Sequence, residues 1–311
     1  IGDARATYHF TDQFNLRVRY GLDLKNEQRQ FRRATSTKGV PFGSYREDEI
    51  TFTESNAEFL LSYNTSRDGG SPLTLDLKAG GNIMRQESNM LIANNPQLLQ
   101  PGVFTLTNNR SNILVDNPKA RKGINSLYGM ATLAYQRFLY LDVTARNDWS
   151  STLPPENNSY FYPSVSLSAV LSEAMDLPAS SSISFLKVRG AYAQVGNDTD
   201  PYLLRSFYNP RALFGSFPAY SVSSFAANPD LRPERTNSWE IGLDSRFFVG
   251  RFGFDITYYD MLSKDQIISL PVAFTTGKDT RLVNAGEISN KGIEFQLYSE
   301  PVRRSDFVWT S

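Results

Sequence analysis

Apolar residues recur at every second position along most of this 311-residue chain, and no stretch carries a sustained period of 3.6. Successive side chains of a β-strand point to opposite faces, so the alternation describes strands with one apolar and one polar face. Phe14, Leu16, Val18, Tyr20, Leu22 and Leu24 alternate with Asn15, Arg17, Arg19, Gly21 and Asp23. Leu139, Leu141, Val143 and Ala145 alternate with Tyr140, Asp142, Thr144 and Arg146; Trp239, Ile241 and Leu243 oppose Glu240 and Asp244. Similar rows start near Leu73, Leu127, Val165, Leu186, Phe254 and Ile293, and the whole chain reads as about twelve strands. Most run roughly ten residues or more, the length of a tilted membrane-crossing strand rather than the five or six usual in soluble sheets. A helical turn fits only at Glu173-Ala174-Met175, between strands.

The polar face decides what surrounds the sheet. It carries Arg17, Arg19, Lys78, Arg146, Lys187, Arg189 and Arg246 with Asp23, Asp76, Asp142, Glu240, Asp244, Asp255 and Glu294. An Arg or Lys facing lipid at mid-membrane costs about 2–4 kcal/mol, so these rows face water or a polar filling. The chain therefore reads as all-β, an antiparallel transmembrane β-barrel meander whose interior is wide and wet. No apolar run approaches the ~18 residues of a membrane helix. On this reading the outward rows, such as Leu16, Val18 and Tyr20, Leu139, Leu141 and Val143, or Ile241 and Leu243, stand exposed.

The connections alternate in length. Thr11 to Gln13, Gln136-Arg137 and Val249 to Arg251 are short. Thr65 to Pro72, Glu173 to Ser182 and Glu300 to Ser305 are moderate. Lys25 to Arg46, Arg85 to Lys122, Asn197 to Arg235 and Ser263 to Gly286 are long, with Ser150 to Ser159 on the same side. Tight turns at one end and extended loops at the other are the layout of an outer-membrane barrel. Aromatics bracket the short turns: Phe10 and Phe14, Tyr135 and Phe138, Phe247 and Phe252. That is the placement of an interfacial girdle, with Trp149, Tyr160 and Tyr162 expected in the opposite one. The chain starts at Ile1 rather than Met, and Phe307 to Ser311 read as a strand in progress, so it is read as an internal stretch of a longer protein.

Composition removes other classes. Lys+Arg 32 against Asp+Glu 32 leaves no net charge, where a nucleic-acid binder would show a basic stripe. Absence of cysteine removes disulfides, thiolate metal sites and thiol nucleophiles. His9 is the one histidine and reads as a polar-face residue satisfied by water or filling, rather than as a catalytic base. Serines and aspartates are plentiful, but no spacing marks a triad. Glu240 and Glu294 could mimic a glycosidase pair; on strands lined with Arg and Lys they read as charge-paired. Asp198-Thr199-Asp200 lacks the glycine and downstream glutamate of a calcium loop and reads as a turn. The chain is taken as a non-enzyme without cofactor or metal.

The last third carries more specific text. Asn228-Pro229-Asp230-Leu231-Arg232-Pro233-Glu234-Arg235-Thr236 leads into Ser238-Trp239-Glu240-Ile241-Gly242. Asp255-Ile256-Thr257-Tyr258-Tyr259 follows, then Asn284-Ala285-Gly286-Glu287-Ile288-Ser289-Asn290-Lys291-Gly292-Ile293-Glu294. In this order and spacing they resemble the barrel of SusC/RagA-type TonB-dependent outer-membrane transporters. Arg146-Asn147-Asp148-Trp149 and Tyr162-Pro163-Ser164-Val165 agree, although the family usually has Gly or Ala where Trp149 stands. The resemblance implies a 22-strand barrel of which residues 1–311 supply part, with the N-terminal plug and the closing strands elsewhere in the protein. It implies energy-coupled import of bulky nutrients, oligosaccharides or peptides, across the outer membrane. The implied partners are a SusD-like surface lipoprotein, outer-membrane lipid, and the TonB complex engaged through the N-terminal part. A passive porin is the alternative reading, and a β-rich glycoside hydrolase a remoter one.

Two sets of residues stand out. Tyr202, Phe207, Tyr208, Phe214, Phe217 and Tyr220 crowd the loop from Asn197 to Arg235. They either contact substrate or lid, or pack the loop on itself. Asn228, Pro229, Leu231, Pro233, Glu234, Asn284, Gly286, Asn290, Lys291, Gly292 and Glu294 carry the resemblance and read as structural. Prolines preset an extended approach to a strand, while Asn-Ala-Gly and Asn-Lys-Gly supply turn-prone residues where pairing restarts.

Overall fold

The computed structural model describes residues 2–65, 71–178, 182–304 and 306–310. The three moderate connections expected across 65–72, 173–182 and 300–305 fall partly outside the described residues. In chain order the strands are β1 (Gly2–His9), β2 (Phe14–Arg33), β3 (Ser44–Asn64), β4 (Leu73–Asn95), β5 (Leu114–Asp116), β6 (Lys119–Tyr135), β7 (Leu139–Ser150) and β8 (Ser159–Val170). After one helical turn, α1 (Leu171–Ala174), come β9 (Ile183–Asn197), β10 (Tyr208–Phe214), β11 (Phe217–Val222), β12 (Phe225–Ala226), β13 (Glu234–Phe247) and β14 (Phe252–Lys264). The last are β15 (Ile267–Pro271), β16 (Thr280–Asn284), β17 (Ile288–Ser299), β18 (Val302–Arg304) and β19 (Phe307–Trp309).

One sheet of 12 strands holds the principal strands in the order β1-β2-β3-β4-β6-β7-β8-β9-β13-β14-β17, with β5 paired to β4. Neighbours in space are neighbours in sequence once β10–β12 and β15–β16 are set aside as loop structure. That is the meander the alternation implies. By internal contacts the chain forms two units. The first is Ile1–Ala6, Val18–Glu58 and Asn82–Ile124; the second is Thr7–Arg17, Phe59–Gly81 and Asn125–Ser311.

The first unit corrects the expected loops. Lys25 to Arg46 and Arg85 to Lys122 were expected as long connections, yet β2 continues to Arg33, β3 starts at Ser44, and β4 continues to Asn95. Backbone pairing needs no apolar side chain. Beyond a membrane both faces of a strand are wet, so the period-2 contrast fades while the ladder goes on. Arg46 grips the buried Asp48 with two hydrogen bonds of 2.5 and 2.7 Å. The fully buried Asn95 donates to the carbonyls of Thr105 and Asn108 and so ties down the loop that follows β4.

In the second unit the register fixes the faces. Trp239 pairs with Tyr192 and Asp260, Ile241 with Gly190 and Tyr258, and Leu243 with Val188 and Ile256. Opposed residues share a face, so apolar meets apolar from Ile241 to Leu243, and the row ends at Asp260 opposite Trp239. Among the outward residues, Val18 in the first unit and Val143 and Ile241 in the second are exposed, while Leu16, Leu139, Leu141 and Leu243 are half-buried. The polar rows alternate with them. Lys187 faces Asp244, which faces Asp255, and Arg189 faces Gly242, which faces Thr257.

Tyr160 and Tyr162 depart from the outward girdle expected of them. They pair with Asp148 and Arg146 and therefore lie on the polar face. Tyr160 is buried, and Tyr162 donates its hydroxyl to Asp148, which also accepts from Arg146 Nε at 2.8 Å. The outward aromatic of that strand is Phe161, well exposed. The sequence shows three aromatics in a row, and only the register says which one faces out.

Candidate functional site

The second unit gathers its long loops into one platform. Loop 150–159, the segment from Asn197 to Glu234, and the segment from Lys264 to Ile288 meet around Leu231, which has no exposed surface. Leu153, Tyr160 and Leu282 complete that core, with Leu203, Leu204, Phe225 and Ile267 packed against it. A small sheet laces the loops together: β12 pairs parallel to β16, and β16 pairs antiparallel to β15.

Polar clamps fix this platform from several directions. Asn284 accepts from the Arg232 amide at 2.8 Å and donates to the carbonyls of Arg232 and Asp265 at 2.7 and 2.9 Å. An amide side chain supplies donor and acceptor together, which this geometry requires. Glu234 accepts the Ile267 amide at 2.8 Å and the Asn197 side chain at 3.3 Å. Asn157 donates to the Leu231 carbonyl at 3.2 Å. Asp198 is buried and accepts from Ser150 at 2.5 Å and Thr152 at 3.2 Å, so the turn at Asp198 is pinned to loop 150–159. Burying these groups is tolerable because each is answered by a partner.

The motif residues divide between platform and strand. Asn228 accepts the Asp230 amide at 3.0 Å, closing a local turn before the buried Leu231 and Pro233, while Pro229 is exposed. Gly286 has φ 96°, a conformation strained for any side-chain-bearing residue. Asn290, Lys291, Gly292 and Glu294 lie on β17 opposite Met261, Asp260, Tyr259 and Thr257. Lys291 pairs with Asp260 at 2.9 Å. A Cβ on Gly292 would lie 2.6 Å from the Tyr259 hydroxyl, so the ring occupies the space a side chain would take.

Above the platform, β10 and β11 form a separate two-stranded hairpin. Tyr208 opposes Val222 and Pro210 opposes Tyr220, which puts these four on one face. Asn209, Arg211 and Ser221 take the other, where Arg211 Nε donates to Ser221 at 2.8 Å. Phe214 and Phe217 face each other across a two-residue turn with Gly215 at φ 65°. The loop core is built from Leu153, Tyr160, Leu231 and Leu282 with Phe225 against them, and the hairpin aromatics stay in solvent: Tyr208 is 74% exposed and Phe214 83%. Tyr202 and Phe207 are exposed but lie outside the hairpin. Sequence reading missed Phe274, 82% exposed on a 3-10 turn (Phe274–Thr276) in the neighbouring loop. Its signal was an aromatic beside Thr-Thr-Gly in a long connection.

Across residues 2–311 the chain matches the family model described as TonB dependent receptor-like, beta-barrel. The chain belongs to that family. Its members lie in the bacterial outer membrane, so the apolar rows of the sheet are the lipid-facing surface. The chain is 26% identical over 319 residues to TonB-dependent receptor P3 of Formosa agariphila, covering 98% of this chain and 31% of that protein. It is 27% identical over 197 residues to the TonB-dependent receptor SusC of Bacteroides thetaiotaomicron, covering 61% of this chain and 20% of SusC. The solved RagAB peptide transporter superposes with a TM-score of 0.83 at 19% identity, over 97% of this chain and 34% of that one. The chain thus spans about a third or less of these relatives. The shared fold is that of the SusC/RagA-type barrels whose motifs the last third of the sequence carries.

Proposed function

We propose that the chain forms part of the transmembrane wall and outer loops of an energy-coupled importer. The cargo is a bulky nutrient, an oligosaccharide or peptide. The remainder of a longer protein supplies a plug and the segment that contacts the TonB complex. A SusD-like surface lipoprotein covers the loops. The observation that carries this reading is the aromatic hairpin: Tyr208, Phe214, Phe217 and Tyr220 stand in solvent while the platform has its own separate core. Aromatic faces stack on sugar rings and anchor protein partners, and a platform fixed by buried hydrogen bonds presents them with little ordering cost. The likeness to the RagAB peptide transporter supports the peptide class, and the likeness to the TonB-dependent receptor SusC supports energy coupling.

The test uses the full-length gene in a deletion strain grown on a panel of single glycans and peptides, with and without a functional TonB complex. Replacing Tyr208 and Tyr220 together by Ala is expected to weaken uptake or lid association about tenfold, the effect of losing ~1.4 kcal/mol. Barrel assembly is expected to stay intact. Uptake that persists without TonB would instead establish a passive pore. Normal uptake and lid binding in the double variant would remove the hairpin from the recognition surface.

A further inference from the structure

The lipid-facing side of the second unit carries a groove among the described residues. Four small residues, Ala79 on β4, Gly129 and Ala131 on β6, and Ala145 on β7, floor an apolar groove of about 480 Å³. Its walls are Leu61, Tyr63, Leu77 and Val143, of which the last three are exposed. Elsewhere on this surface the rows carry large residues such as Ile241, Ile293 and Phe295, all more than half exposed. A volume of this size lies within the range of sites that hold small molecules.

We propose that this groove holds an acyl chain of an inner-leaflet phospholipid. The inference rests on the membrane placement of the sheet, and the groove is continuous with that lipid-facing surface. Its height selects the leaflet. Leu77 and Val143 stand four positions beyond the strand starts Leu73 and Leu139, and Tyr63 is the penultimate residue of β3. At ~3.3 Å per residue and a tilt of ~45°, four positions rise ~9 Å above the short turns, within the ~15 Å half-thickness of the hydrocarbon. Short turns lie on the periplasmic side, so the groove opens to the phospholipid leaflet. Tyr63 and Phe14 stand at its lower rim, where an aromatic meets the headgroup level.

The experiment places the purified full-length protein in vesicles of phosphatidylethanolamine carrying a diazirine on one acyl chain. After illumination, labelled peptides are mapped. Tyr63, Leu77 and Val143 are expected to take up label about fivefold over Ile241 and Ile256, the ratio given by ~1 kcal/mol of site preference. Filling the groove with Gly129→Leu and Ala145→Leu is expected to abolish the excess and leave Ile241 labelling unchanged. Folding of the variant is checked by its heat-modifiable gel mobility, and the map of the unaltered protein stands without it. Equal labelling of groove and belt overturns the proposal. Protection of the groove with cross-linked dimers assigns it to a second copy and also overturns it. An excess seen only with diazirine-bearing lipid A, in asymmetric vesicles, moves the site to the outer leaflet and does the same.

Discussion

Asn284→Ala tests whether the loop platform is held by side-chain hydrogen bonds or merely decorated by them. The substitution removes one accepted and two donated bonds, all between 2.7 and 2.9 Å, linking two segments 52 and 19 residues away in sequence. Each such bond contributes about 0.5–1.5 kcal/mol net, which sums to about 1.5–4.5 kcal/mol. Arg232 is exposed, so water replaces part of what its amide and carbonyl lose, and about 2 kcal/mol is the expected cost. A membrane barrel does not unfold reversibly as one unit, so the assay must read local opening. Hydrogen exchange does so, because each amide reports the free energy of the opening that exposes it. A loss of about 2 kcal/mol corresponds to ~30-fold faster exchange. That acceleration is expected in the segments 228–233 and 265–286, with β9, β13 and β14 unchanged. Asn284→Asp keeps the acceptor but sets a carboxylate oxygen against the Arg232 and Asp265 carbonyls, so it is expected to lose at least as much protection as Ala. Unchanged exchange in Asn284→Ala, or acceleration spread equally through the sheet strands, would refute the reasoning.

Leu231→Ala empties the centre of the platform core and is expected to cost about 2–5 kcal/mol, read as protease sensitivity of the loops without loss of the assembled barrel. Asp198→Ala leaves the Ser150 and Thr152 hydroxyls without their shared acceptor; exchange is expected to rise at 150–152 and 197–200, and Asp198→Asn to restore most of the protection. Gly253→Ala puts a Cβ into the Tyr298 ring and is expected to slow barrel assembly in a heat-modifiability time course, while the double variant Gly253→Ala/Tyr298→Leu recovers it. An additive double variant would show that ring and glycine do not act together.

The sheet was legible because its physics is two-sided. Rows such as Leu16-Val18-Tyr20 against Arg17-Arg19 state the strand, its faces and its surroundings at once. Strand ends were legible only where the contrast persists. At Gln136-Arg137 the sequence places the turn between β6 and β7 correctly; at Lys25 it places an end some nine residues early, because a wet strand has no apolar face to display. The candidate site was less legible. Aromatic residues crowd the loop in sequence, but their exposure follows from which other residues make the core, and Leu203, Leu204 and Leu282 carry no pattern that announces that role. Asn284 and Glu234 could be picked out by motif, yet their partners lie 52 and 33 residues away, a pairing that only the fold specifies.

The polar face asks more of its glycines than of its charges. A polar-face charge such as Arg189 reads from the sequence as one that faces water or a polar filling. Instead Arg189 reaches across β13 and holds Asp255 on β14 with bonds of 2.7 and 2.8 Å, and Thr257 at 2.6 Å. It can do so because Gly242 lies beneath it: a Cβ there would stand 2.6 Å from its guanidinium nitrogen. The same construction recurs where Tyr128 covers Gly80, Tyr160 covers Gly196 and Tyr259 covers Gly292. Each joint has a glycine on one strand where a large side chain from the next lies close, and at Gly242 that side chain pairs onward. A strand glycine costs about 0.5–1 kcal/mol in chain entropy, and a cross-strand aromatic or bidentate contact offsets a cost of that size. Glu240 and Glu294, on the same polar face, form no ion pair among the described residues. On the proposed function, a plug in the interior would meet a wall whose Arg189 charge is already answered and would seat on carboxylates such as Glu240, so Glu240→Lys is expected to raise passive leak in a liposome-swelling assay more than Arg189→Glu does. The reverse order would return Arg189 to the interior and dismantle this account of the joints.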